Sequence, residues 1–214
     1  MDYFPLFINL KNKPCLVVGA GEIAARKIEL LAKAGADITV IAPEISSQVS
    51  QLKNTYDLNI IQRSFTADDI HRQRLIISAT NQKNINKLVT TTAEEHNIPV
   101  NVVDNPSLCS FIVPAIIDRS PIVAAISSGG ASPVLTRLLR AKIESLIPPA
   151  FGRLAQLAEK YRGLVKEHIN PPSERRIFWE KTLQGSIAEL FYSGKETEAE
   201  ARLLTHIKSS EKSI

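Results

Sequence analysis

One stretch limits what this chain can become: Cys15–Arg26, CLVVGAGEIAAR. Pro14–Gly19 is a short apolar run, read as a buried strand, that ends in the small residues Gly19-Ala20-Gly21. Glu22–Gly35 then carries Ile23, Lys27, Leu30, Leu31 and Ala34 at helical spacing, and Gly35 stops the helix. Residues Gly19–Ala24 also have the form G-x-G-x-x-A. The first glycine permits a tight turn, the second leaves room for a pyrophosphate, and a small third residue lets helix and strand pack closely. The helix start offers unpaired N–H groups and partial positive charge to phosphates. Dinucleotide binding is therefore expected at Gly19, Gly21, Glu22 and Ile23.

The rest of the first half alternates strand and helix. Asp37–Ala42, Asn59–Ser64, Arg74–Ala79 and Pro99–Val103 read as strands, and a helix runs from about Lys83 to His96. Runs of Val, Ile and Leu without strict alternation indicate strands covered on both faces, hence a parallel sheet. The fold class expected is α/β, a Rossmann-like parallel sheet domain followed by a small α+β domain and a helical C-terminal domain. In the second half, Phe111–Asp118 and Pro121–Ser127 read as strands joined by Asp118-Arg119-Ser120. Ser132-Pro133 opens a helix to about Leu146, serine as N-cap and proline at the first helical position. Pro148-Pro149 marks a boundary. Beyond it Ala150–His168, Ser173–Leu183 and Thr197–Ile207 read as helices, and the tail after His206 as frayed. The domains expected are 1–113, 114–147 and 148–214.

Composition excludes several classes. The 214 residues are 44% hydrophobic and 22% charged, as in an ordinary globular chain. No apolar stretch reaches the ~18 residues of a membrane span. The N-terminus lacks the basic and apolar blocks of a secretory signal. Cys15 and Cys109 are too few for a disulfide framework, so a cytoplasmic location is expected. The net charge of +4 lies wholly in residues 114–214. That excess is either a solvated helical surface or a site for an anion. Nucleic acid is not an expected partner, because no reader motif is present and aromatic residues are only 6%.

The second predicted strand ends Ile41-Ala42-Pro43-Glu44, so Pro43 and Glu44 sit where an acid would meet a ribose hydroxyl. No arginine follows closely, the nearest basic residue being Lys53, which favours NAD over NADP. Thr80 and Asn81 end a later strand and face the same crevice, or else cap the next helix. His71, His96, His168 and His206 form no ligand-spaced pair, so no metal site is expected.

Two further strings, Asn101–Pro106 (NVVDNP) and Ser127–Pro133 (SSGGASP), stand near the change from sheet to appended domain. With these the chain resembles the precorrin-2 dehydrogenase / sirohydrochlorin ferrochelatase module of siroheme synthase. The resemblance is carried by VVGAGEIAARKIELLAKAGADITVIAP, ISATN, NVVDNPSLCSFIVPAIIDRSPIVAAISSGGASPVLTRLLR and ERRIFWEK, across about residues 1–190. It implies NAD-dependent oxidation of precorrin-2 to sirohydrochlorin, insertion of Fe(II) in some members, and a homodimer whose middle domain dimerises. It implies a stand-alone enzyme, since the chain ends before any methyltransferase domain.

The resemblance also assigns roles. Asp104 becomes the catalytic acid, a carboxylate able to take the proton left when hydride departs. Asn101, Ser128, Gly129 and Gly130 become substrate-binding, since a glycine turn with hydroxyls and N–H groups suits a carboxylate of the tetrapyrrole. Arg137 and Arg140, on the following helix, either hold such carboxylates or line the dimer interface. A competing reading is a non-catalytic dinucleotide-binding regulatory module, which the glycine turn alone would permit.

Overall fold

The computed structural model describes residues 2–210. The chain divides into two compact units, Met1–Val113 and Pro114–Ile214.

The first unit is a five-stranded parallel sheet with strand order β3-β2-β1-β4-β5. Its elements run β1 (Pro14–Val18), α1 (Glu22–Lys33), β2 (Asp37–Ile41), α2 (Ser47–Thr55), β3 (Leu58–Ile61), β4 (Leu75–Ser78), α3 (Lys83–Glu95) and β5 (Val100–Val102). This is the doubly wound α/β fold. Strand residues point alternately to opposite faces, so Cys15 and Val17 join Ala24, Ile28, Leu31 and Val49 on one side. Leu16 and Val18 join Ile70, Val89 and Ala93 on the other. A sheet covered on both faces explains the unbroken apolar runs of its strands. The topology reverses between β1 and β4. There, outside the carboxyl ends of the strands, an open sheet of this kind binds its ligand.

The predicted strands of this sheet are each a residue or more longer than those observed: Gly19, Ala42, Ala79 and Val103 still donate to the neighbouring strand but stand one residue past the strand ends, at the ligand edge. Helix α2 is short: it buries Val49 fully, and Leu52 packs beside it, partly buried, on the same core. A cap adds to this packing, the Ser46 hydroxyl accepting from Val49 N–H at 3.3 Å.

The second unit opens with an antiparallel hairpin, β6 (Ala115–Arg119) and β7 (Ile122–Ile126). Five helices follow: α4 (Pro133–Leu146), α5 (Ala150–His168), α6 (Pro172–Gln184), α7 (Ser186–Tyr192) and α8 (Glu196–Ser210). Helices α5–α8 share a core of Leu154, Leu157, Val165, Phe178, Phe191, Leu203 and Ile207. The tail expected to fray after His206 stays helical to Ser210, because Leu203 and Ile207 anchor the last turns. The tail beyond Ser210 lies outside the described residues. Among the described residues no helix is long and apolar enough to cross a membrane.

Candidate active site

The glycine turn sits at the topological switch point. Gly19 has φ +105°, and its N–H donates to Ile41 O at 2.8 Å. A Cβ here would stand 2.3 Å from Ala79 O, so the close approach of β1 to the end of β4 demands glycine. Gly21 differs. Its φ of −82° suits any residue, and a Cβ would meet nothing within 4 Å. Nothing in the chain itself requires glycine at 21; what a side chain would fill is the open space ahead of α1. No side chain caps that helix, so its first N–H groups, at Glu22 and Ile23, are left for a ligand. The residues therefore fit a dinucleotide pyrophosphate. The Glu22 carboxylate is turned to Arg26 along the helix, and the Ile23 side chain is exposed.

A small open cleft adjoins the turn, lined in part by Gly19, Ala42, Pro43, Ser64, Phe65 and Thr80. The loop after β2 is tied to the glycine turn, Ser46 N–H donating to Ala20 O at 3.1 Å. Exposed Glu44 lies in that loop. Thr80 is committed locally: its hydroxyl accepts from Gln82 N–H at 3.2 Å and its carbonyl from Asn86 Nδ2 at 3.0 Å. Buried Ser78 donates to Asn86 Oδ1 at 2.7 Å and fixes that amide. Asn81 is exposed at the same edge.

Asp104 follows β5 on the same carboxyl edge. It has φ +58°, a conformation aspartate tolerates, and Asn105 N–H closes the turn onto Val102 O at 3.2 Å. The carboxylate is exposed and does not cap the turn. The loop is fixed by Cys109, whose sulfur accepts from Val102 N–H at 3.1 Å and lies 3.2 Å from the carbonyls of Val102 and Asn105. Asn101 is buried and its Nδ2 donates to Phe111 O at 3.0 Å, so the structure uses it to brace this loop. Lys27, which the sequence placed in the apolar stripe of the first helix, is half-buried. Burial pushes its amine below the ordinary lysine range, and Asp104 and Cys109 partly restore it. Sequence reasoning missed Lys27 as part of the site, although a lysine among apolar stripe positions was the available signal.

The SSGGASP turn belongs to the second unit. Gly129 and Gly130 have φ +63° and +89°. The anion nest expected there is largely filled from within. Gly129 N–H donates to the Ser127 hydroxyl, Ala131 N–H to Ser128 O and Ser132 N–H to the Ser128 hydroxyl, all near 3.0 Å. Thr136 Oγ1 also lies 3.0 Å from the Ser128 hydroxyl. The same Thr136 Oγ1 lies 3.0 Å from Ser132 O, so the Ser128 hydroxyl is held in its turn by Ser132 N–H and Thr136. Arg140 is spent inside the unit, its Nε donating to Ile116 O at 2.9 Å and its guanidinium pairing with Glu144. Arg137 is exposed. The rings of His71 and His96 meet edge to face at 5.4 Å. Among the described residues no three His, Cys, Asp or Glu side chains gather to hold a metal.

A doubly wound parallel sheet with a glycine turn and an uncapped helix at its switch point defines a dinucleotide-binding protein. The family model described as putative NAD(P)-binding matches residues 6–115, over half the chain, and the chain belongs to that family. Models described as the sirohaem biosynthesis protein central region and the sirohaem synthase dimerisation region match residues 125–146 and 150–207. The region named for dimerisation is thus the helical one, whereas the sequence reading put dimerisation at 114–147. The chain is 51% identical over 212 residues to a siroheme synthase of Ruthia magnifica, covering 99% of this chain and 45% of that protein. It is 48% identical to a siroheme synthase of Nitrosomonas eutropha, covering 98% and 44%. The chain spans about half the length of these relatives. Among solved structures, a precorrin-2 dehydrogenase, SirC, superposes with TM-score 0.75 at 25% identity, covering 97% of this chain and 100% of that one.

Proposed function

We propose that this chain oxidises precorrin-2 to sirohydrochlorin, with NAD as hydride acceptor and Asp104 as proton acceptor. The observation that carries this reading is the position of Asp104. Along the carboxyl edge the order is Glu44 after β2, the glycine turn after β1, Thr80 after β4 and Asp104 after β5. A dinucleotide whose pyrophosphate lies on α1 and whose ribose reaches Glu44 extends its other end over β4 and β5. An exposed carboxylate with no bond inside its own turn stands at that end. Bound there, the nicotinamide supplies the hydride sink. The chain's residues do the rest: α1 and Gly21 seat the pyrophosphate, Glu44 accepts from a ribose hydroxyl, and Asp104 takes the proton that balances hydride loss.

The Ser128 hydroxyl is assigned to a substrate carboxylate, as are Gly129 and Gly130 through the shape of their turn. The same Asp104 would receive pyrrole protons if Fe(II) entered the product. The chain works as a homodimer, and an apolar stripe on α4 supports this: Val134, Leu135 and Leu138 are each at least half exposed, and α4 buries no residue.

The test is an anaerobic assay of precorrin-2 with NAD, following NADH absorbance, then addition of Fe(II). Asp104→Asn is expected to lower turnover by about 10²-fold or more while NAD still binds. Unchanged turnover in that variant would remove Asp104 from the chemistry. Retained NAD binding without any oxidation by the natural chain would instead favour a non-catalytic module.

A further inference from the structure

The sheet brings an arginine to the ribose side of the cleft that the linear sequence keeps far from it. Arg63 is flanked by residues of the site. Gln62 Nε2 donates to Pro43 O at 3.2 Å, and Ser64 and Phe65 line the cleft with Ala42 and Pro43. β3 pairs with β2, so the segment after β3 runs beside the loop that carries Glu44. Arginine is the residue type that accommodates a ribose 2′-phosphate, and Arg63 stands one residue from the cleft-lining Ser64.

Its guanidinium is already engaged. Nη1 donates to Asp69 Oδ2 at 2.8 Å and Nη2 to Asp69 Oδ1 at 2.5 Å, a two-pronged pair, and Nη1 also donates to Ser64 O at 2.9 Å. The Asp69 carboxylate cannot follow the arginine outward. It accepts from Thr66 N–H at 2.7 Å and from the Thr66 hydroxyl at 3.1 Å, and it is 9% exposed against 44% for Arg63. The Arg63 guanidinium and the Thr66 bonds hold its carboxyl below the usual carboxylate range, so it stays charged at neutral pH. A two-pronged arginine–carboxylate pair uses the geometry that would otherwise grip a phosphate.

We propose that the Asp69–Arg63 pair is a cofactor discriminator: by holding Arg63, Asp69 denies a cation to the 2′-phosphate of NADP and leaves the ribose to Glu44. This rests on the reading of the cleft as a dinucleotide site.

The experiment titrates NAD and NADP into the full chain by calorimetry, for the natural protein, Asp69→Asn, Arg63→Met and the double variant, with a thermal melt for each. The natural chain is expected to bind NAD more tightly than NADP. Asp69→Asn should tighten NADP by about tenfold and leave NAD within about twofold, and adding Arg63→Met should abolish that gain. Arg63→Met alone should leave both affinities within about twofold. This last variant keeps the carboxylate and its Thr66 bonds, so it reads the pair even if Asp69→Asn folds poorly. A folded Asp69→Asn with an unchanged NAD/NADP ratio, or a loss of NADP affinity in Arg63→Met alone, overturns the proposal. Failure of the natural chain to bind either nucleotide overturns the dinucleotide reading itself, and the discriminator with it.

Discussion

At the scale of residues, the two glycines of the turn separate fold from function. Gly19→Ala forces a Cβ against the Ala79 carbonyl at positive φ, so it is expected to cost roughly 2–4 kcal/mol of stability, read as a fall in the urea midpoint. Gly21→Ala meets open space at ordinary φ. It should leave the urea midpoint nearly unchanged and weaken NAD binding, read by calorimetry. Equal loss of stability in both variants would contradict this division. Lys27 adds a second contrast. Burial lowers its amine in the folded chain, so below that folded value both states are protonated and the full cost of the buried charge is present. As pH climbs toward the ordinary lysine range the folded chain sheds the proton first and the cost shrinks. Lys27→Met is therefore expected to stabilise the protein at neutral pH, by an increment that diminishes toward pH 10. Urea melts at the two pH values check it.

At the scale of elements, caps decide more than apolar periodicity. The Ser132 hydroxyl accepts from Leu135 N–H at 3.2 Å and starts α4 with Pro133 behind it, as the SSGGASP string foretold. Ser132→Ala is expected to cost about 1 kcal/mol, measured by chemical denaturation. The elements that escaped sequence reading were short ones. α2 buries a single side chain, and α7 follows α6 after only Gly185, where a Cβ would stand 2.6 Å from Lys181 O. Each is too short to present more than two or three apolar positions; α2 is settled by its cap and by Val49 and Leu52 on the sheet core, and α7 by packing Ile187, Ala188 and Phe191 into the helical core.

At the scale of the whole molecule, the apolar stripe of α4 needs a cover, and a second copy of the chain is the proposed one. Leu138→Glu is expected to shift sedimentation equilibrium toward monomer without changing the far-ultraviolet dichroism. An unchanged association state would move the interface to the helices of the dimerisation region. The sequence by itself determined the sheet, its glycine turn and the chemistry-bearing strings, because those depend on local spacing: alternating elements, small residues at a tight turn, a serine before a proline. Only the tertiary structure decided what each side chain is free to do. It spends Asn101 and Arg140 on bracing, leaves Asp104 without a bond in its turn, and sets Lys27 in its field. It also sets Arg63, nineteen residues beyond Glu44 in the chain, beside the Glu44 loop. Strand order is fixed by packing across the whole sheet, and no local pattern encodes which loops will meet at its edge.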